Sequence, residues 1–324
     1  MDGVILLADK NSKSWAFAEK IQTYLKEQKQ CEVPLKEVSI NHFKNEEIDM
    51  HVPENVRKKE IYFVHDATKN PQEWWVELLL LKDLLLSASA ESVSFVLPNM
   101  LYSRKDRKEK PHVPISARTL ARTISSSLKR IITMDMHAAQ IQGFYHECIP
   151  VDNLYSFPEV VKYLEKDSSF DIKNLVILSP DAGGVNRARS FAQKLGVQNP
   201  LAMIYKVRGT KGVGDTREVE EMKLVGDVKD KNVLIIDDII DSGGTLCKAA
   251  NLLKEHGAKN LFCYGTHGIF TSGTSCLLEH FKRVMTSNTH YNEGNGVEVI
   301  DMSSVFAEAI YRAQKGLSIS ELFE

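Results

Sequence analysis

Short apolar runs alternate with amphipathic stretches along the whole chain, and this alternation constrains the fold more than any other feature. Such runs lie at 4–8, 61–65, 93–97 and 131–134 in the first half, and at 175–178, 201–204, 233–236 and 261–264 in the second. Continuous rather than alternating apolar character marks strands buried on both faces, as in a mostly parallel sheet flanked by helices. Between the runs the spacing turns helical. Ser12 offers an N-cap for a helix to about residue 28, with Trp15, Ala18, Ile21, Tyr24 and Leu25 on one face. The most apolar stretch, 74–86, is broken by Glu77, Lys82 and Asp83. A membrane span needs about 20 mostly apolar residues, so this stretch is expected to be a buried helix. The two halves share one strand–helix grammar, and 324 residues suit two domains of about 150 each. The fold expected is α/β with two tandem domains, residues 1–152 and 153–324, divided where Asn153 and Pro158 interrupt the pattern.

Charge and cysteine content narrow the class. Lys plus Arg number 41 and Asp plus Glu 43, a net charge of −2, which speaks against a protein that coats nucleic acid. With 43% hydrophobic and 26% charged residues, the chain is neither disordered nor collagen-like. Five cysteines, an odd number with no CxxC pair, fit reduced thiols better than a disulfide framework. The first residues lack the basic segment and long apolar run of a signal peptide. A cytoplasmic protein, associated with neither membrane nor nucleic acid, is therefore expected.

The most specific motif is VLIIDDIIDSGGT at 233–245. An apolar strand runs into Asp237 and Asp238, then into Asp241, Ser242, Gly243, Gly244 and Thr245, and a helical pattern follows. Glycines let backbone N–H groups approach an anion, hydroxyls add donors, and a helix N-terminus adds a favourable dipole. That is a cradle for a phosphate monoester. Carboxylates at the carboxyl end of a strand, where ligands bind in open α/β sheets, can accept hydrogen bonds from sugar hydroxyls or hold Mg²⁺ through water. An acid pair alone would more often be a capped surface turn; the thirteen-residue run as a whole is far more specific. It resembles the ribose-5-phosphate fingerprint of the type I phosphoribosyltransferase fold.

Further motifs select one branch of that fold. DMHAAQIQGFY at 135–145, SPDAGG at 179–184, YSRKDRK at 102–108, FKNEE at 43–47 and the closing LSISELF at 317–323 resemble, in the same order, blocks of the ribose-phosphate diphosphokinases, also called phosphoribosyl-pyrophosphate synthetases. The resemblance implies two phosphoribosyltransferase-like domains, with the last ~20 residues packing back on the first. It implies transfer of the diphosphoryl group of Mg-ATP to the 1-hydroxyl of ribose 5-phosphate. It also implies an assembly built from dimers, commonly a hexamer, in which a hairpin reaches the ATP of a neighbouring subunit.

By the same resemblance Lys206 and Arg208 swing over the transferred group, and Phe43, Asn45 and Glu47 form the adenine-binding hairpin. Arg104, Lys105 and His137 contact ATP, and His137 and Asp181 bind Mg²⁺. Asp237 and Asp238 hold the ribose and metal waters, and Asp241 to Thr245 hold the 5-phosphate. Arg57, Ser89, Ser318, Ser320 and Phe323 match a regulatory phosphate site. Each residue has a plainer reading: His137 as a structural histidine, Asp181 as a turn aspartate, Lys206 and Arg208 as solvated loop cations, and Phe43 as core. The segment 104–110, with five basic and two acidic residues, could be a solubilising loop; with only Tyr102 nearby to stack on a base it fits a nucleic-acid groove poorly.

The chain departs from the family in a few places. Lys105 stands where Gln is common, the region 206–225, which includes the glycine-bearing segment 208–221, is several residues longer, and Ser242-Gly243-Gly244-Thr245 replaces Thr-x-Gly-Thr. Asn55 stands in place of a Ser, and Pro111-His112 in place of a Ser-Arg pair, in the regulatory region. Loss of an Arg weakens an anion contact, so weak phosphate activation and weak ADP inhibition are expected. Competing readings are a catalytically silent regulatory subunit, a transferase that consumes the diphosphate, and a regulator that senses it. The first expects losses among the catalytic residues, the second leaves the N-terminal half unexplained, and the third needs a DNA-reading module.

Overall fold

The computed structural model describes residues 1–167, 170–208, 220–290, 294 and 296–323; the side chains at 206–208 and 220 fall outside that description. Within it the chain divides into two compact units. One comprises residues 1–155, 288–290 and 301–323, and the other 156–287 and 296–300.

The first unit is a seven-stranded sheet. Its strands are β1 (Val4–Asp9), β2 (Leu35–His42), β3 (Ile48–His51), β4 (Glu60–Val64), β5 (Ser92–Leu97), β6 (Arg130–Met134) and β7 (Val151–Leu154). The order is β3-β2-β1-β4-β5-β6-β7, all neighbours parallel except the β2–β3 hairpin. The second unit repeats the pattern with β8 (Leu175–Ser179), β9 (Ala202–Arg208), β10 (Glu220–Val225), β11 (Asn232–Ile240), β12 (Asn260–Gly268), β13 (Arg283–Ser287) and β14 (Glu298–Ile300). Its order is β10-β9-β8-β11-β12-β13-β14, with β9–β10 the antiparallel pair. The expected fold class, two mostly parallel sheets flanked by helices, is borne out. All eight apolar runs lie wholly or largely in strands. The six strands without such a run are β2, β3, β7, β10, β13 and β14. Five are edge or hairpin strands, and β13, buried and as long as β4, ends in Thr286 and Ser287, whose hydroxyls bond to β12 carbonyls, so none carries the continuous apolar stretch of the other central strands.

The helices cover the sheet faces. The first unit carries α1 (Ser14–Lys29), α2 (Pro71–Ser87) and α3 (Ser116–Ile124). The second carries α4 (Phe157–Glu165), α5 (Val185–Leu195), α6 (Gly244–Glu255) and α7 (Ser275–His280). The last helix, α8 (Ser303–Lys315), packs on α1 in the first unit. Phe306 meets Phe17 edge-on at 5.4 Å, and Lys29 pairs with Glu308 at 2.6 Å. Ser12 does not cap α1 as expected: the N-cap is Lys13, without a side-chain bond, and the Ser12 hydroxyl donates to the Asp9 carbonyl at 2.9 Å.

Of the three charges that break the apolar run of α2, Asp83 is exposed but the other two are not solvated. Glu77 and Lys82 are buried, and each is satisfied. Lys69 donates to both Glu77 oxygens at 2.9 and 3.0 Å and to Asp9 at 2.8 Å. Burial opposes the Lys69 ammonium, but Glu77 and Asp9 outweigh it and its pKa rises. Beside this group His65 is pushed down to about 3 by burial and by Lys69, so its ring is neutral. Lys82 reaches the Thr123 and Ile124 carbonyls at the end of α3, at 3.3 and 3.4 Å, where a cation suits the helix dipole. Among the described residues no helix is long and apolar enough to cross a membrane.

In the second unit Arg283, at the start of β13, binds Glu298 through two nitrogens at 2.7 and 2.6 Å and Asp167 through the third at 2.6 Å. The hydrogen bond from Arg283 holds the Glu298 carboxyl below its ordinary 4.5. That contribution to stability is full above pH 4.5 and is lost as pH falls through the depressed native value. Arg283→Met is expected to lower stability at pH 7 by about 1–3 kcal/mol, with the deficit shrinking at pH 3. Urea melts at the two pH values check this, and an equal deficit at both would refute the ion-pair account.

Candidate active site

Ligands in open α/β sheets bind outside the carboxyl ends of the strands, where the strand order reverses. In the second unit that point lies between β8 and β11, and the sequence motifs meet there. β11 extends to Ile240, so Asp237 and Asp238 lie inside the strand rather than at its end. Asp238 is buried and Asp237 partly so. The Asp238 N–H donates to Asp237 Oδ1 at 2.9 Å. Burial pushes the Asp237 carboxyl well up, helped by the adjacent Asp238 charge and opposed by Arg187. Arg187, on α5, approaches Asp238 Oδ1 at 3.2 Å and Asp237 Oδ1 at 3.8 Å. The sequence reading missed Arg187; its signal was a cation three residues past SPDAGG, in the first turn of the helix that motif opens.

Residues 241–243 then turn into α6. Gly243, the N-cap, has φ +76°, and α6 begins without a side-chain cap. A Cβ on Gly243 would lie 3.1 Å from the Leu277 side chain, so the position requires glycine in both conformation and space. The Gly244 N–H reaches Ser242 Oγ at 3.4 Å, and Thr271 donates to Asp241 Oδ1 at 2.8 Å. The first turn of α6 therefore has the backbone form of an anion cradle.

Two residues past the adjoining strand β8, beyond Pro180, Asp181 accepts at its Oδ1 from the Gly184 N–H at 2.9 Å. A Cβ on Gly184 would come within 2.7 Å of Ser179 Oγ. Among the described residues Asp181, Asp237 and Asp238 do not converge as direct ligands of one ion. Their hard oxygen donors suit Mg²⁺ held largely through its own waters. Lys206 and Arg208 stand at alternate positions of β9, opposite Met222 and Glu220; their side chains, and residues 209–219 of the glycine-bearing segment, lie outside the described residues.

The first unit carries the other motifs. Phe43, Asn45 and Glu47 form the turn between β2 and β3: the Phe43 N–H donates to the Glu47 carbonyl at 2.8 Å, and the Glu47 N–H to Asn45 Oδ1 at 3.4 Å. Phe43 is 56% exposed, so it is not core and presents a ring available for stacking. Arg104 and Lys105 lie beyond β5, with Lys105 paired to Glu109 at 2.5 Å. His137 is exposed just beyond β6, after Asp135 takes φ +38°. Two motifs meet where Gln140 donates to Asp106 at 2.5 Å, a contact that sequence spacing did not reveal.

The regulatory candidates fall in two places in this unit. Ser89, at φ +65°, accepts through its carbonyl from the Lys58 N–H at 2.9 Å, beside exposed Arg57. Asn55 accepts from the Arg57 N–H at 3.1 Å, so its side chain serves a local turn. Ser318 and Ser320 bond each other at 2.9 Å, and Phe323 packs edge-on against Tyr155 at 5.2 Å.

Two tandem sheets of one order, with an acid pair and a glycine-opened helix at the reversal point of the second, define a sugar-phosphate-binding protein of the phosphoribosyltransferase class. Family models agree. The N-terminal domain of ribose phosphate pyrophosphokinase matches residues 6–127, and the phosphoribosyl transferase domain matches residues 151–299. The chain is 38% identical over 302 residues to ribose-phosphate pyrophosphokinase 4 of Saccharomyces cerevisiae, covering 91% of this chain and 89% of that one. It is 36% identical over 317 residues to the ribose-phosphate pyrophosphokinase of Rhizobium meliloti, covering 95% and 96%. The crystal structure of phosphoribosylpyrophosphate synthetase from Mycobacterium smegmatis superposes with a TM-score of 0.82 at 29% identity, covering 97% of this chain and all of that one. The chain belongs to the ribose-phosphate pyrophosphokinase family.

Proposed function

We propose that this enzyme transfers the β,γ-diphosphoryl group of Mg-ATP to the 1-hydroxyl of ribose 5-phosphate, giving 5-phosphoribosyl 1-diphosphate and AMP. The observation that carries the reading is the acid pair on β11 leading into the Gly243 turn at the point where strand order reverses. In this reading the N–H groups opening α6, with Ser242 and Thr245, bind the 5-phosphate, and Asp241 borders it. Asp237 and Asp238 accept from the ribose hydroxyls, and Arg187 holds the pair in place.

The carboxylates of Asp181, Asp237 and Asp238 would hold Mg²⁺, with His137 assigned to the metal and the nucleotide phosphates. The ion supplies positive charge for the phosphate oxygens. Phe43 stacks on adenine while Asn45 and Glu47 read its polar edges, and Arg104 and Lys105 bind the triphosphate. Lys206 and Arg208 stabilise the charge that builds on the nonbridging oxygens, where positioning and electrostatics dominate. Arg57, Ser89, Ser318, Ser320 and Phe323 are assigned to a regulatory phosphate, weakened by the use of Asn55 in a turn. Self-association from dimers to a hexamer, and a cytoplasmic setting, complete the proposal. A silent regulatory subunit is disfavoured because His137, Asp181, Lys206, Arg208 and both acids are all present.

The test is purified protein with Mg-ATP and ribose 5-phosphate, scored for AMP against ADP. AMP with 5-phosphoribosyl 1-diphosphate is expected, with little dependence on added inorganic phosphate. ADP as product, or no turnover by folded protein with phosphate and free Mg²⁺ supplied, would overturn the reading.

A further inference from the structure

The helix that opens the cradle is joined covalently to its neighbour. Cys247, in the first turn of α6, is disulfide-bonded to Cys276 on α7, with their Cα atoms 6.4 Å apart, within the range a bridge accommodates. The expectation of uniformly reduced thiols is corrected here: among the described residues Cys31, Cys148 and Cys263 are the free ones. The next residue along α7, Leu277, is buried against Gly243. The bridge therefore fastens the side chain backing the cradle to the helix that forms it. Cys247 is buried and Cys276 exposed, so a soluble oxidant or thiol reaches the Cys276 sulfur first. One turn on, His280 brings a ring nitrogen within 4.8 Å of both sulfurs. Its ring is positioned by Cys276 O at 3.0 Å from Nδ1 and Asn251 Oδ1 at 2.9 Å from Nε2. In the cytoplasmic setting proposed above, disulfides are usually transient and redox-sensing.

We propose that Cys247 and Cys276 form a reversible thiol–disulfide site that sets the affinity of the adjacent cradle for its sugar phosphate; this rests on the assignment of that cradle in the proposed function. With a peroxide as oxidant, the Cys276 thiolate attacks one oxygen. The O–O bond breaks, and the departing hydroxide takes a proton to become water, leaving a sulfenic acid. The Cys247 thiolate then attacks that sulfur, the S–O bond breaks, and a second water leaves. Two thiols lose two electrons and two protons, and the peroxide gains them. An external dithiol reverses the step by attack at exposed Cys276. The bridged form is the preorganised one, and preorganisation tightens binding by lowering the ordering cost.

The experiment compares full-length protein treated with hydrogen peroxide or with dithiothreitol. Alkylated thiols are counted by intact mass, the bridge is mapped by peptides, and ribose 5-phosphate affinity is read by calorimetry and by its KM. The oxidised protein is expected to show two fewer alkylated cysteines, a 247–276 cross-link, and affinity about two- to tenfold tighter than the reduced form. Cys276→Ser should lose both the cross-link and the redox dependence. The proposal is overturned if no 247–276 bridge forms, if affinity is unchanged once it forms, or if reduced protein holds an equivalent of Zn²⁺ that Cys247→Ser releases. Failure of the reduced enzyme to make 5-phosphoribosyl 1-diphosphate would instead count against the proposed function, since calorimetry still reports the effect of the bridge on sugar-phosphate binding.

Discussion

Lys206→Ala is expected to lower turnover by about 10²–10³-fold, as for loss of one preorganised charge stabiliser, while ribose 5-phosphate affinity changes little. The difference follows from where each group acts. In the proposed assignment the cradle at α6 and the acid pair on β11 hold the sugar phosphate in ground and transition states alike. A cation over the transferred group meets its full partner charge only as the nonbridging oxygens accumulate it. Lys206 is well placed for this on backbone grounds: it lies in β9, whose neighbour β8 leads into Asp181. Steady-state kinetics with both substrates varied, together with calorimetry for ribose 5-phosphate, separates the two effects. Turnover within threefold of wild type would remove Lys206 from its assigned role. A matched loss of sugar-phosphate affinity would move it into the ground-state binding site.

The legible and illegible parts of the molecule divide along physical lines. The central strands were legible because burial on both faces demands continuous apolar runs, as in 93–97 and 233–236. The hairpin strands β2, with its mixed burial, and β3 gave no such run, and the end of β11 was hidden by the carboxylates it carries. The acid pair and the glycine turn were legible because their chemistry is contiguous in sequence. The Arg187–Asp238 pair, the Asp106–Gln140 contact and the Cys247–Cys276 bridge join residues 51, 34 and 29 positions apart, and only the topology brings them together. Glu77 in α2 shows a further limit: in the sequence it is only an interruption of an apolar run, and in the fold it is a buried partner of Lys69, which lies in the preceding loop. A charge inside an apolar run is ambiguous until its counter-ion is located.

Gly243→Ala is expected to raise the KM for ribose 5-phosphate by about tenfold or more and to cost about 2–4 kcal/mol of stability, from two separable causes. The first is conformational: a left-handed φ of +76° costs an L side chain about 1–2 kcal/mol. The second is steric: the new Cβ would lie 3.1 Å from Leu277 Cδ1 and Cγ, so either α7 yields or the first turn of α6 shifts. That shift re-aims the N–H groups assigned to the 5-phosphate, which links loss of stability to loss of binding. Leu277→Ala removes the obstacle but leaves the backbone strain. The double variant should therefore recover the steric share alone, with a coupling of at least about 0.5 kcal/mol between the two sites. Strict additivity would mean that Leu277 does not constrain the turn. An unchanged KM in Gly243→Ala would mean that the opening of α6 does not bind the sugar phosphate, whatever its effect on stability.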